Sequence, residues 1–375
     1  MGEYPSNPVR APLRLESING LRGAAILSVI YFHVICGMWP APVVPVWLSP
    51  LVTNGWTGVN LFFILSGLVL FLPYAAGERR MISPADRAAF YQHRFLRLMP
   101  LFYVAVVSEW LLAVWQGHGN VGELAWVASL GFTVNAQEFA PPFNPALWSI
   151  GVEIAFSALF PSLIAAAQRF GLARVLAGAL VMSLAFRVFG ILRFPALQGA
   201  TFNSDMLLCR IDEFVIGMML ARLYVSGRLP WRPALCLVAG ALLVAIAWIG
   251  FDQVLRGGLP PIARAALNDV LDAGLFLVVR AALAAETRFA AALCWRPLQV
   301  LGMMCYSVYI WHEPLLELMM PGRAALPAPA FALSLLLFAA ALLAVAALSY
   351  RVIEFGRVAD WRRLFLLGRS QPAPV

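Results

Sequence analysis

Apolar runs of about twenty residues recur along this chain, and that is the length that crosses the hydrocarbon core of a bilayer. Such a run ends in a buried core or in lipid, and composition decides between them. Of the 375 residues only 12% are charged and 62% are hydrophobic, whereas soluble domains carry about 25% charged residues. A soluble domain of this make-up would present large apolar patches to water. In lipid, every backbone polar group must be satisfied internally, which leaves helices or closed barrels. The runs are continuous, not alternating segments of about ten residues. The chain therefore reads as an all-α, polytopic membrane bundle.

A window of about twenty residues predicts ten spans: Leu21–Met38, Trp56–Tyr74, Leu98–Trp115, Ala146–Ala167, Leu172–Leu192, Met206–Tyr224, Ala234–Phe251, Arg264–Ala285, Leu298–Met320 and Ala330–Tyr350. The apolar segment Val121–Val134 is too short to cross and reads as interfacial or re-entrant. The polar, Pro-rich start reads as a retained segment, not a cleaved signal, because no small-residue cleavage pattern follows the first span. No 20–50-residue repeat is evident. The division expected is a cytoplasmic segment over 1–20, a transmembrane domain over 21–350 and a basic cytoplasmic tail over 351–375.

Charge sets the expected orientation. The net charge is +8, all of the 27 basic residues are Arg, and all but six of them lie between the apolar spans. With both termini inside, only Arg193, Arg256 and Arg323 fall in outer loops, as the cytoplasmic bias of basic residues requires. Arg spread in this way anchors spans and does not form a nucleic-acid surface. The five Cys lie in or beside apolar runs without a CxxC pair, so neither a disulfide framework nor a zinc site is indicated. No metal is expected.

Ionisable groups inside spans are costly and are default functional candidates, although each could instead make an interhelical contact. Arg22 and His33 are 11 residues apart, which returns to nearly the same helix face after about 16 Å of rise. His33, Glu153, His312 and the group Arg210, Asp212 and Glu213 fall at similar depth in the outer half of the bilayer. A His and a carboxylate at one depth can form a general base and its orienting partner, or a proton relay. Arg94 and Arg97 project from one helix face at the cytoplasmic side. Two guanidinium groups so placed suit phosphate, or serve only as anchors. Ser66-Gly67 in mid-span marks close helix packing.

Taken together, these segments resemble the membrane-bound acyltransferase family 3. GLRGAAILSVIYFHV is similar to its opening Arg-x10-His signature, with Arg22 and His33 in place. NLFFILSG, RFLRLMPLFY, ALWSIGVEIAFSALFP, CRIDEFVIGMMLA and LGMMCYSVYIWHEPL resemble its later elements in order, carrying Ser66, then Arg94 and Arg97, then Trp148 and Glu153, then Arg210, then Tyr306, Ser307 and His312. Cys305 stands where that family usually has Ser, and Ser157 where Tyr commonly follows Phe.

The resemblance implies an acyl-CoA-dependent O-acyltransferase in the bacterial inner membrane. It would move an acyl group, by family default acetyl, from cytoplasmic acyl-CoA to a hydroxyl of a surface or exported glycan, or of a small metabolite such as a macrolide. Acyl-CoA would be a co-substrate, with no tightly bound cofactor and no nucleic-acid partner. The expected roles are His33 as base or transient acyl carrier, Glu153 as its orienting partner, and Arg22 on the donor's path. Arg94 and Arg97 would hold the CoA phosphates. Tyr306 and Ser307 would stabilise the oxyanion, with Ser66, Trp148, Arg210 and His312 as further substrate-site candidates. The rival readings are a proton-coupled transporter relaying through His33, Glu153 and His312, and a non-catalytic lipid- or glycan-binding scaffold.

Overall fold

A computed structural model describes residues 16–36, 44–117, 119–129, 144–193 and 206–354. The described residues are helical, with short turns between elements. The long helices are α1 (Glu16–Cys36), α2 (Gly58–Ala75), α3 (Pro84–Trp115), α4 (Trp148–Phe170), α5 (Leu172–Arg193), α6 (Leu207–Val225), α7 (Pro233–Leu255), α8 (Ala263–Ala282), α9 (Cys305–Met319) and α10 (Ala328–Ser349). Among the described residues, seven helical segments are long and apolar enough to cross a membrane: α1, the segment Gly55–Ala75, α3, α4, α5, α7 and Ala328–Glu354. The chain is a multi-pass membrane protein. α6 and α8 carry too many charges to qualify on apolarity, and Arg210, Asp212, Glu213, Asp272 and Arg280 among these are buried in the bundle.

The outer faces are what lipid selects. Leu242 and Ile246 on α7, Val181 and Phe189 on α5, and Leu336 and Leu337 on α10 stand exposed. A row of exposed aliphatics along a helix is stable only against hydrocarbon. The interior is packed through small residues. A side chain on Gly67 of α2 would strike the backbone carbonyl of Phe214 on α6, and one on Gly217 of α6 would strike that of Ile64 on α2. The two helices therefore touch backbone to backbone, the role that Ser66-Gly67 suggested.

Two predicted spans differ from the observed helices. α3 starts at Pro84, well before Leu98, because Ser83 and Asp86 form a capping box: Ser83 Oγ accepts from the Asp86 amide at 3.1 Å, and Asp86 accepts from the Ser83 amide at 2.8 Å. Arg94 and Arg97 thus ride on the span's own helix. The predicted ninth span is broken at Met304 into a short helix, Arg296–Met303, and α9. The short piece is held against α1, where Gly302 meets the backbone of Asn19 and Gly23 that of Leu298. Of Val121–Val134, a helix covers Val121–Ala128. Its last residues, the segment before Glu16 and the tail beyond Glu354 lie outside the described residues.

Many of the charges inside spans hold helices together. Arg187 of α5, 1% exposed, donates to Asp212 of α6 at 3.0 Å, to Asp269 of α8 at 2.7 Å and to the Cys209 carbonyl at 2.8 Å. Arg210 donates to Glu213 at 2.7 Å, and Asn60 of α2 to Glu213 at 3.0 Å. A buried charge survives only when paired and hydrogen-bonded. Here one guanidinium ties α5, α6 and α8 into a unit.

Candidate active site

α1 carries a candidate group near each end. Toward its end, His33 Nδ1 lies 2.9 Å from the carbonyl of Val29, one turn back. His312 of α9 is fully buried, and its Nδ1 is bonded to the Tyr309 carbonyl. A carbonyl can only accept, so each Nδ1 is assigned the proton, and each Nε2 keeps a lone pair. His312 Nε2 is 3.3 Å from His33 Nδ1, and the rings meet edge-on with centroids 4.9 Å apart. His33 Nε2 is left as a base. Its nearest carboxylate oxygen is Glu313 Oε2 at 3.9 Å, which is also 3.8 Å from His312 Nε2 and has no hydrogen-bond partner.

The surroundings fix this arrangement. Arg323 donates to the carbonyls of His33 at 2.9 Å and Val34 at 3.0 Å. These are among the carbonyls that a helix end leaves without internal partners, so Arg323 anchors the turn that bears His33. Tyr309 OH donates to the Ala146 carbonyl at 2.9 Å and accepts from Ser149 at 2.7 Å, tying α9 to α4.

The second group lies near the start of α1, about 16 Å away along the helix. Glu153 of α4 is ion-paired with Arg94 of α3 and accepts from Ser66 of α2 at 2.6 Å. Arg94 also donates to Ser157 at 2.9 Å. Arg22 lies close enough to Arg94, Arg97, Glu153 and Cys305 to feel their charges. Arg22 and Arg97 make no hydrogen bond or ion pair with a described residue. Beside Arg94 a groove of about 400 Å³ opens between α3 and α4, lined by Tyr91, Phe95, Leu98 and Ile154 among others.

Several expected partnerships are rearranged. Glu153 was expected at the depth of His33, but the structure places it toward the Arg22 end of α1, with its carboxylate committed to Arg94 and Ser66. Glu313 takes the place by His33. Tyr306 OH donates to the Leu98 carbonyl at 2.6 Å, and Ser307 donates to Glu354, so neither hydroxyl proton is free for an oxyanion. Trp148 packs under Arg210 at 5.6 Å and against Phe63, which places both beside the charge network of α5, α6 and α8. Glu313 and Glu354 escaped the sequence reading. Glu313 adjoins His312 and was within reach of it. Glu354 is carried in by a π-helical turn, Tyr350–Glu354, and a turn of that kind has no sequence signature but is frequent at functional sites.

The bundle places a histidine pair at one end of a helix and a guanidinium cluster at the other, groups of the kind that transfer protons and bind anions. The acyltransferase-domain profile matches residues 15–351, and the chain belongs to the membrane-bound acyltransferase 3 family. It is 24% identical to the O-acetyltransferase OatA of Staphylococcus aureus over 92% of this chain and 57% of that protein. It is 26% identical to the exopolysaccharide production protein ExoZ of Rhizobium meliloti over 69% of this chain and 76% of that protein. The chain spans little more than half the length of the OatA proteins it matches. No solved structure matches it.

Proposed function

We propose that the protein transfers an acetyl group from acetyl-CoA, supplied on the cytoplasmic side, to a hydroxyl of a glycan destined for the cell surface. The observation that carries this reading is the His33 ring, whose Nδ1 is held by a backbone carbonyl and whose Nε2 is left to accept a proton. In the reaction the acceptor O–H gives its proton to His33 Nε2 while its oxygen forms a bond to the thioester carbonyl carbon. The tetrahedral centre then collapses, the C–S bond breaks, and the CoA thiolate takes up the proton. His312 positions His33 from one side and Arg323 from behind.

Arg22 and Arg97, which make no hydrogen bond or ion pair with a described residue, and Arg94 beside them are the cations available to the donor's phosphates. The pantetheine arm of CoA is long enough to run from them along α1 to His33. The name of ExoZ supports an exopolysaccharide acceptor, with a small hydroxylated metabolite as the alternative substrate. We further propose ten spans, α1 to α10, with both ends of the chain cytoplasmic in a bacterial inner membrane. In that arrangement residues 1–20 and 351–375 form cytoplasmic segments around the transmembrane domain.

The test uses the full chain purified in detergent. Acetyl-CoA binding and slow hydrolysis are measured for wild type, Arg97→Ala and His33→Ala. The reading requires saturable binding that weakens in Arg97→Ala, and turnover that is lost in His33→Ala with binding kept. Full turnover by His33→Ala would sink it.

A further inference from the structure

We propose that His33, His312 and Glu313 bind one divalent transition-metal ion of the zinc type, and that the bound ion silences the base. The second half rests on the reading of His33 as that base.

One ligand atom from each of the three residues lies within 4.8 Å of the others. Each Nδ1 already has a carbonyl partner, Val29 for His33 and Tyr309 for His312, which leaves the two Nε2 atoms as the ligand atoms. Metal-ligating histidines are typically fixed in this way, by a hydrogen bond from the other ring nitrogen. The third donor is ready as well. Glu313 Oε2 is buried without a hydrogen-bond partner, 3.9 Å from His33 Nε2 and 3.8 Å from His312 Nε2. Bonds of about 2.0–2.2 Å to a four-coordinate ion put neighbouring ligand atoms about 3.3 Å apart. Closing Glu313 Oε2 on an ion shared with either ring therefore takes a shift of about half an ångström, which rotation of the Glu313 side chain supplies.

The donor set selects the ion. Two imidazoles and a carboxylate suit zinc, cobalt or copper, whereas magnesium and calcium prefer oxygen alone. The other grouping of carboxylates, Asp212, Asp269 and Asp272, already holds the Arg187 guanidinium. Among the described residues no guanidinium is ion-paired with Glu313 at the histidine site. One lone pair on His33 Nε2 cannot both accept a proton and hold a metal, so occupancy and catalysis exclude each other.

The experiment takes the full chain in detergent, stripped of metal with a chelator. Zinc binding is followed by calorimetry and cobalt binding by visible absorption. Wild type is expected to bind one equivalent, with the strong visible bands of four-coordinate cobalt and no thiolate charge-transfer band. Glu313→Gln and His312→Gln are each expected to weaken binding at least tenfold. Should a variant fail to fold, the wild-type cobalt spectrum still decides, because a thiolate band or the absence of saturable binding overturns the site. Binding unchanged in both variants overturns it too. In parallel, zinc should inhibit acetyl-CoA turnover over the range in which it binds, and chelation should restore it. Activation by zinc would overturn the silencing. One bound cobalt in protein that never turns over acetyl-CoA, even metal-free, leaves the site standing and removes the acyltransfer reading. Turnover indifferent to zinc does the reverse.

Discussion

His312 Nε2 stands 3.3 Å from His33 Nδ1, and the His312 ring is fully buried while the His33 ring is reached by solvent. On the proposed function one histidine is therefore a fixed support and the other the working group. Replacing His33 by Ala should lower transfer by about 10²–10⁴-fold, the usual contribution of a positioned base. His312→Ala should lower kcat with less change in donor affinity. Pre-steady-state turnover together with acetyl-CoA titration separates the two, and an equal loss of donor binding in both variants would contradict the division of labour.

Arg94 and Glu153 should behave as a pair. Their side chains are only 13% and 15% exposed, and removing one partner of a buried pair costs about 3–5 kcal/mol. Arg94→Ala should thus lower the melting temperature as well as donor binding. Arg97→Ala, which breaks no bond to a described residue, should weaken donor binding with little thermal effect. Thermal melts with and without acetyl-CoA check both.

The sequence made one end of this site legible and misassigned part of the other. Hydropathy places residues by depth, and depth is what brought His33 and His312 together. A hydropathy window fixes depth only to within a turn or two, and it says nothing of which way a side chain faces. Glu153, paired with His33 on depth alone, sits toward the Arg22 end of α1 and bonds Arg94 and Ser66. Arg94 in turn reaches Glu153 only because α3 begins at the Ser83 cap, a local signal that a hydropathy window averages away. The Met304 break and the π turn before Glu354 are set by tertiary packing, so no periodicity announces them.

Arg323 should act on the rate through the backbone it holds. Removing its two hydrogen bonds to the carbonyls of His33 and Val34 loosens the last turn of α1. Arg323→Ala should reduce kcat several-fold and leave the KM for donor unchanged, because the guanidinium cluster near Arg22 is untouched. Arg323→Lys, which retains a donor and a charge, should recover part of the rate. A rise in donor KM as large as the fall in kcat would count against this role.

The backbone contact of α2 with α6 gives a sharp packing test. Gly67→Val drives a side chain into the Phe214 carbonyl, whereas Gly178→Val on α5 meets nothing within 4 Å. The first should fail to yield folded protein or melt far below wild type. The second should fold, with a change within about 1 kcal/mol, the scale of a glycine's helix penalty. Size-exclusion profiles and melting temperatures report the difference.

Arg22 and His33 sit on one helix, with no loop between them. Their separation is set by backbone geometry, three turns of the same rigid rod, and it cannot drift as a distance across a hinge would. On the proposed function α1 is in effect a ruler, graduated at one end for the charged head of a donor and at the other for its reactive tip. An insertion of one residue between the marks would rotate them apart by about 100°, so only changes of whole turns could keep them aligned. The chemistry's tolerance for donors of other lengths is thereby limited by a helix and not by a pocket.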